Sequence, residues 1–227
     1  MITYAIGDIH GRADLLKRAF SWMEQHIQLL GGQADIVFLG DYIDRGPASR
    51  EVLDILMRKP PDWVRDQVCL MGNHEDFCLK SHQSQRDWDD WVMNGGDAAL
   101  ASFDGNIPAE YLEWMARLPL FHEDTHRIYV HAGMVPGVAL SEQDPDDLLW
   151  IREPFLSARG IDQKHVVHGH TPIGPELLSN RTNLDGGACY TGELCVATFD
   201  PQKAGGPINL VQIGLRKVWT YQMVDVS

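Results

Sequence analysis

The stretch Ile36-Val37-Phe38-Leu39-Gly40-Asp41-Tyr42-Ile43-Asp44-Arg45-Gly46 decides how this chain is read. Four consecutive apolar residues closed by glycine predict a short strand buried on both faces. The glycine permits a sharp turn at positive φ, and carboxylates and an arginine follow it at once. The same arrangement recurs along the chain. Ile2 to Ile6 leads into Gly7-Asp8-Ile9-His10-Gly11, and Val68 to Met71 into Gly72-Asn73-His74-Glu75. Ile128-Tyr129-Val130 leads into His131-Ala132-Gly133, and Val166-Val167 into His168-Gly169-His170-Thr171.

Helical periodicity fills the gaps between the first strands. Leu15, Leu16, Ala19, Phe20, Met23, Ile27 and Leu30 recur at three- and four-residue spacing, and Gly31-Gly32 ends that helix. Pro47 and Ser49 open a second helix carrying Val52, Leu53, Ile55 and Leu56. Strands alternating with helices predict crossover units and a largely parallel sheet. From about 76 to 118 the pattern is helical and rich in Trp88, Trp91, Trp114 and Met115, which predicts an insertion near the mouth of the site. Trp88 and Trp91 have a spacing suited either to core packing or to stacking on a base. After His170 come three strands, Leu194 to Phe199, Ile208 to Ile213 and Val218 to Val224, expected to be antiparallel. The expected fold class is α/β of the mixed kind, with two packed mixed β-sheets flanked by helices. Residues 1–227 are expected to form one domain.

Composition narrows the function. A net charge of −13 argues against nucleic-acid binding, which needs a positive surface. A site for an anion must therefore gather its own positive charge. No apolar run approaches the length of a membrane helix, so no membrane association is expected. The start Met1 to Asp8 lacks a basic segment and a cleavage pattern, so no secretory signal is expected. Cys69, Cys78, Cys189 and Cys195 form no C-x-x-C pair, which predicts free thiols and a cytoplasmic location.

Five strand ends offer metal-binding side chains: Asp8 with His10, Asp41, Asn73, His131 and His170. One such residue after a strand is ordinarily a turn or cap residue; five glycine-flanked clusters are not explained that way. Carboxylate, imidazole and amide donors without thiolate suit a catalytic site for Mn²⁺, Fe or Zn²⁺. Six ligands exceed one ion and match two ions sharing a carboxylate, the arrangement used for displacement at phosphorus.

Taken in order, these motifs resemble the calcineurin-like metallophosphoesterases, and within them the phosphoprotein phosphatase family. The stretch Asn183-Leu184-Asp185-Gly186-Gly187-Ala188, with Leu194-Cys195-Val196-Ala197, is similar to its bacterial members. Met71 stands where eukaryotic members carry arginine, and His131-Ala132-Gly133 replaces their His-Gly-Gly, which points to the bacterial and phage branch. The resemblance implies that Asp8 and His10 bind a first metal, that Asp41 bridges, and that Asn73, His131 and His170 bind a second. It places Arg45 and Arg152 on the substrate phosphate and Tyr190 beside the substrate. It makes His74 the proton donor to the leaving group, held by Asp44. Two divalent ions are implied, Mn²⁺ ahead of Fe or Zn²⁺. The reaction implied is hydrolysis of a phosphomonoester by a metal-bridging hydroxide, without a phosphoenzyme. The substrate would be a phosphoprotein, as for serine/threonine-type phosphatases. The alternatives are a symmetrical diadenosine tetraphosphatase or other small-molecule phosphohydrolase, or a non-catalytic metal-binding scaffold. His168 is expected to be structural, and Glu75 to act from behind the ligands or at a helix start.

Overall fold

The computed structural model describes residues 1–160 and 164–221. Its strands are β1 (Ile2–Ile6), β2 (Ala34–Phe38), β3 (Val64–Cys69), β4 (Phe121–Glu123), β5 (Arg127–Val130), β6 (His165–His168), β7 (Glu176–Leu177), β8 (Arg181–Asn183), β9 (Glu193–Phe199), β10 (Asn209–Gly214) and β11 (Val218–Tyr221). Its α-helices are α1 (Ala13–Leu30), α2 (Ser49–Met57), α3 (Asn73–Ser81), α4 (Gln85–Trp91), α5 (Asp97–Ser102), α6 (Ala109–Met115), α7 (Pro145–Trp150) and α8 (Ala188–Thr191). A kinked turn, Val92–Gly96, broken at Gly95 (φ 108°), joins α4 to α5.

Two mixed sheets stack face to face. One runs β11-β10-β9-β1-β2-β3 and the other β4-β5-β6-β8-β7. β1, β2 and β3 are parallel, while β9, β10 and β11 add to β1 antiparallel. In the second sheet β5, β6 and β8 are parallel, flanked by antiparallel β4 and β7. The two-residue period of a strand explains the layering. Tyr4, Ile6, Ile36 and Phe38 face the helices, where Leu15, Leu16, Met23 and Leu53 cover them. Ala5, Val37 and Leu39 point the other way, onto Tyr129, Val167 and Leu184 of the second sheet. Both faces of β1 and β2 are therefore buried, which is why these segments are apolar throughout. α7 and Phe155 close the far side of the second sheet. α1 ends where expected, at Gly31, whose backbone N–H donates to the Ile27 carbonyl at 2.8 Å.

The differences from expectation have physical causes. β3 begins at Val64, earlier than the apolar run from Val68, because its first turns carry solvent-facing Arg65 and Asp66. β4, β7 and β8 are short and polar, so no hydrophobic pattern marked them. The last strand is seen to Tyr221; residues 222–224 lie outside the described residues. The four thiols are free. No helix among the described residues is long and apolar enough to cross a membrane.

One buried histidine in β6 makes the fold sensitive to acid. His165 is 6% exposed, and its Nε2 lies 2.8 Å from Thr182 Oγ1. Burial pulls its pKa down to about 4. The unfolded chain takes up a proton near pH 6.5 that the folded chain refuses until about 4, so stability falls as pH drops through that window. His165→Gln, compared with the parent by urea unfolding at pH 7 and pH 4.5, is expected to remove about 2 kcal/mol of the parent's acid loss. Equal losses in both proteins would rule His165 out as the cause.

Candidate functional site

The strand-end clusters come together at one edge of the sandwich. Asp8 and His10 follow β1, Asp41 follows β2, Asn73 opens α3 behind β3, His131 follows β5 and His170 follows β6. All six are buried. The backbone that delivers them is unusual. His10, Asp41, Asp44, Arg45 and His170 have φ between 43° and 70°, in the left-handed region that costs an ordinary residue about 1–2 kcal/mol. Asp104 is the other non-glycine residue there, at a surface turn. The first two loops are laced together. The N–H groups of Ile9 and His10 both donate to the Asp41 carbonyl, and that of Gly11 to the Tyr42 carbonyl.

Glu75 fastens the rest. One carboxylate oxygen accepts from the N–H groups of Tyr42 (2.8 Å) and Ile43 (3.2 Å). The other accepts from Asp41 (2.8 Å) and Gly72 (3.0 Å). Burial and nearby Asp41 push its pKa up to about 8, while these donors pull it back. Gly72 must be glycine here, since a Cβ would stand 2.2 Å from the Asp41 nitrogen and 2.3 Å from Asp41 Oδ1.

The donor atoms fit cations. His131 Nδ1 bonds the Leu39 carbonyl at 2.8 Å, so the neutral ring carries its proton there. The lone pair on Nε2 then faces two acceptors, Asn73 Oδ1 at 2.7 Å and Asp41 Oδ1 at 3.3 Å. His10 likewise places Nδ1 on the Ile43 carbonyl, but its Nε2, 3.4 Å from Asp41 Oδ2, accepts a hydrogen bond from Arg45 Nη1 at 2.6 Å. His170 Nδ1 lies 2.8 Å from the same Asn73 oxygen. Burial drives the pKa of His10 and His170 down to about 3 and lowers that of His131, keeping the rings neutral. Lone pairs facing lone pairs across a carboxylate are satisfied by a cation between them. Two groups of convergent donors result, His10-Asp41-His74 and Asp41-His131-His170, with Asp41 in both. Burial acts to raise the Asp41 pKa, but the surrounding His131, His74 and His10, with the His74 backbone N–H, shift it downward on balance.

Asp8 stands apart from those groups. Its carboxylate accepts from the His170 N–H at 3.1 Å and shares a hydrogen bond with Asp185. Burial, with Asp185 and Asp41 adding to it, raises the Asp8 pKa well above the carboxylate range. No local pattern in Asn183-Leu184-Asp185-Gly186 marks Asp185 as the neighbour of Asp8.

His74 is held differently from the other rings. Its Nδ1 lies 2.7 Å from Asp44 Oδ2, which leaves Nε2 facing the site. Burial lowers its pKa, but Asp41 and the bond to Asp44 outweigh this and the net shift is upward. Arg45, Arg152, Asn94, Trp150 and Tyr190 line a cavity of about 260 Å³ that opens over Asp41, Asn73, His74 and His170. Tyr190 is 70% exposed at its mouth. A larger groove near Trp63, of about 410 Å³, contains no cluster of metal-binding donors.

Two expectations are refined by this geometry. Trp88 and Trp91 do not offer themselves for stacking: Trp91 is buried and Trp88 packs on it at 5.4 Å. His168 turns its ring under Phe155, away from the cavity. Trp150 is an exposed ring at the cavity that nothing in its local sequence marks.

The chain belongs to the calcineurin-like phosphoesterases, whose family model matches residues 1–210. Serine/threonine-protein phosphatase 1 of Salmonella typhimurium is 31% identical over 86% of this chain and 90% of its own length. A symmetrical bis(5'-nucleosyl)-tetraphosphatase of Pseudomonas syringae is 29% identical over 63% of this chain but only 45% of its own length. The cold-active protein-tyrosine phosphatase of a psychrophilic Shewanella shares the fold, with a TM-score of 0.59 at 18% identity, over 97% of this chain and 80% of that one. The protein is a metal-dependent phosphatase of this family.

The Glu75 contacts yield a test. Glu75→Gln turns an amide NH₂ toward backbone donors that now meet a carboxylate. It is expected to lower unfolding free energy by about 2–3 kcal/mol in urea titration. A loss below ~0.5 kcal/mol would mean that these bonds do not support the loops.

Proposed function

We propose that this chain hydrolyses phosphomonoesters as a serine/threonine-type protein phosphatase, with residues 1–227 acting as one unit. The observation that carries this reading is the placement of a carboxylate-held imidazole and two arginines around one cavity floored by cation-ready donors. Asp8, His10 and Asp41 would hold one divalent ion, and Asp41, Asn73, His131 and His170 the other. The oxygen and nitrogen donors favour Mn²⁺, with Fe or Zn²⁺ as alternatives. When bound, the ions supply an acidified water and neutralise phosphoryl charge.

The remaining work falls to the chain's own side chains. Arg45 and Arg152 grip the phosphoryl oxygens and stabilise their charge in an otherwise acidic molecule. His74 presents its Nε2 proton to the leaving oxygen, while Asp44 keeps the other nitrogen protonated and the ring turned inward. Water adds to phosphorus as the ester P–O bond breaks, giving alcohol and phosphate with no phosphoenzyme. Tyr190 borders the leaving group. The reading places the protein in the cytoplasm, consistent with its free thiols.

Identity supports a phosphoprotein substrate: the serine/threonine phosphatase is 31% identical over nearly its whole length, against 25% for an asymmetrical bis(5'-nucleosyl)-tetraphosphatase covered as fully. The exposed rings of Trp150 and Tyr190 at the mouth favour a second reading, hydrolysis of a dinucleotide whose base stacks there. Rates of the Mn²⁺-loaded protein on a phosphoserine peptide and on diadenosine tetraphosphate decide between them. The peptide is expected to have the higher kcat/KM by at least about tenfold; the reverse order would transfer the assignment to the dinucleotide. Inactivity on both and on p-nitrophenyl phosphate would refute the phosphatase reading.

A further inference from the structure

Asp44 Oδ2 receives a second hydrogen bond besides that of His74. Trp91 Nε1 donates to it at 2.9 Å. Asp44 is fully buried, and its other oxygen has no hydrogen-bond partner among the described residues. One oxygen therefore fixes the orientation of the whole carboxylate, and the indole is its only anchor apart from the histidine it must orient. The indole is itself fixed. Gly96 lies so close that a Cβ there would stand 2.5 Å from the ring, and Trp88 meets it edge-on. Four residues on, the Gly95 carbonyl accepts from the Arg45 N–H at 3.0 Å. Gly95 has φ 108°, and a Cβ would meet Arg45 Cγ at 2.7 Å. The end of α4 and the turn that follows it thus touch two successive left-handed residues, Asp44 through the Trp91 side chain and Arg45 through the Gly95 carbonyl.

We propose that Trp91 is a positioning residue for proton transfer, holding Asp44 so that His74 keeps its Nε2 proton aimed at the leaving oxygen. This rests on His74 being the proton donor. In that step the P–O bond breaks and its electron pair takes the Nε2 proton. The attacking water forms the new P–O bond, and His74 is reprotonated from solvent. A fault in positioning then slows esters in proportion to how much their leaving oxygen needs a proton.

Trp91→Phe keeps an aromatic ring and removes the N–H. Its kcat on phenyl phosphate is expected to fall about tenfold, and on 2,4-dinitrophenyl phosphate by less than about threefold, at unchanged metal content. The ratio of the two rates does not depend on how much of the preparation is folded. Equal losses on both esters would overturn the proposal and leave Trp91 a packing residue. His74→Asn measured alongside separates the two levels. If it is selective for the poor leaving group and Trp91→Phe is not, only the proposal fails. If His74→Asn is also unselective, the proton-donor reading itself fails. Should Trp91→Phe not fold, ¹⁵N spectra of the intact protein give a second reading. A slowly exchanging indole N–H signal, one of seven tryptophans, is expected to move in Asp44→Asn. No indole signal moving would count against the bond and the proposal.

Discussion

A single buried carboxylate, Glu75, accepts four backbone N–H groups from two loops that would otherwise have no reason to meet. Each such hydrogen bond contributes about 0.5–1.5 kcal/mol net, and leaving a buried donor unpaired costs about 1–3 kcal/mol. The left-handed residues nearby cost about 1–2 kcal/mol each. The bonds are therefore of the right size to hold Asp41, Asp44 and Arg45 in conformations their side chains disfavour. Most of the site depends on that exchange. Asp41 is placed between the two donor groups, Asp44 beneath His74 and Arg45 at the cavity wall, all within one short loop.

The sandwich supplies the second condition. Parallel strands β1, β2 and β3 in one sheet and β5 and β6 in the other deliver their following loops to a common edge. Ligands in α/β sheets gather where strands end for the same reason. With net charge −13, the molecule repels anions over most of its surface. Arg45 and Arg152 bring positive charge to the cavity, beside the convergent carboxylate, amide and imidazole donors. This arrangement favours a substrate whose charge is concentrated in a phosphoryl group.

Much of this was legible in the sequence because the signals are local. Apolar runs closed by glycine located β1, β2, β5 and β6, and the residues after them are those the structure brings together. The mixed two-sheet fold followed from the order of strands and helices. What stayed hidden depends on contacts between distant segments. β8 reads Arg-Thr-Asn and is a buried strand only because its neighbours cover it. Trp91 looked like a core or stacking residue; its bond to Asp44 spans 47 positions. Glu75 was expected to sit behind the ligands, but its reach to residues 41–43 could not be read from Asn73-His74-Glu75. The left-handed backbone was expected of the glycines, yet His10, Asp41, Asp44, Arg45 and His170 carry it as well.

The central claim is that Asp41 lies between two cations. Crystals grown with Mn²⁺ and measured at its absorption edge test it directly. The account predicts two anomalous peaks about 3.5–4 Å apart, one beside His10 and the other beside Asn73, His131 and His170, with Asp41 touching both. One peak, or two that do not share Asp41, would contradict it.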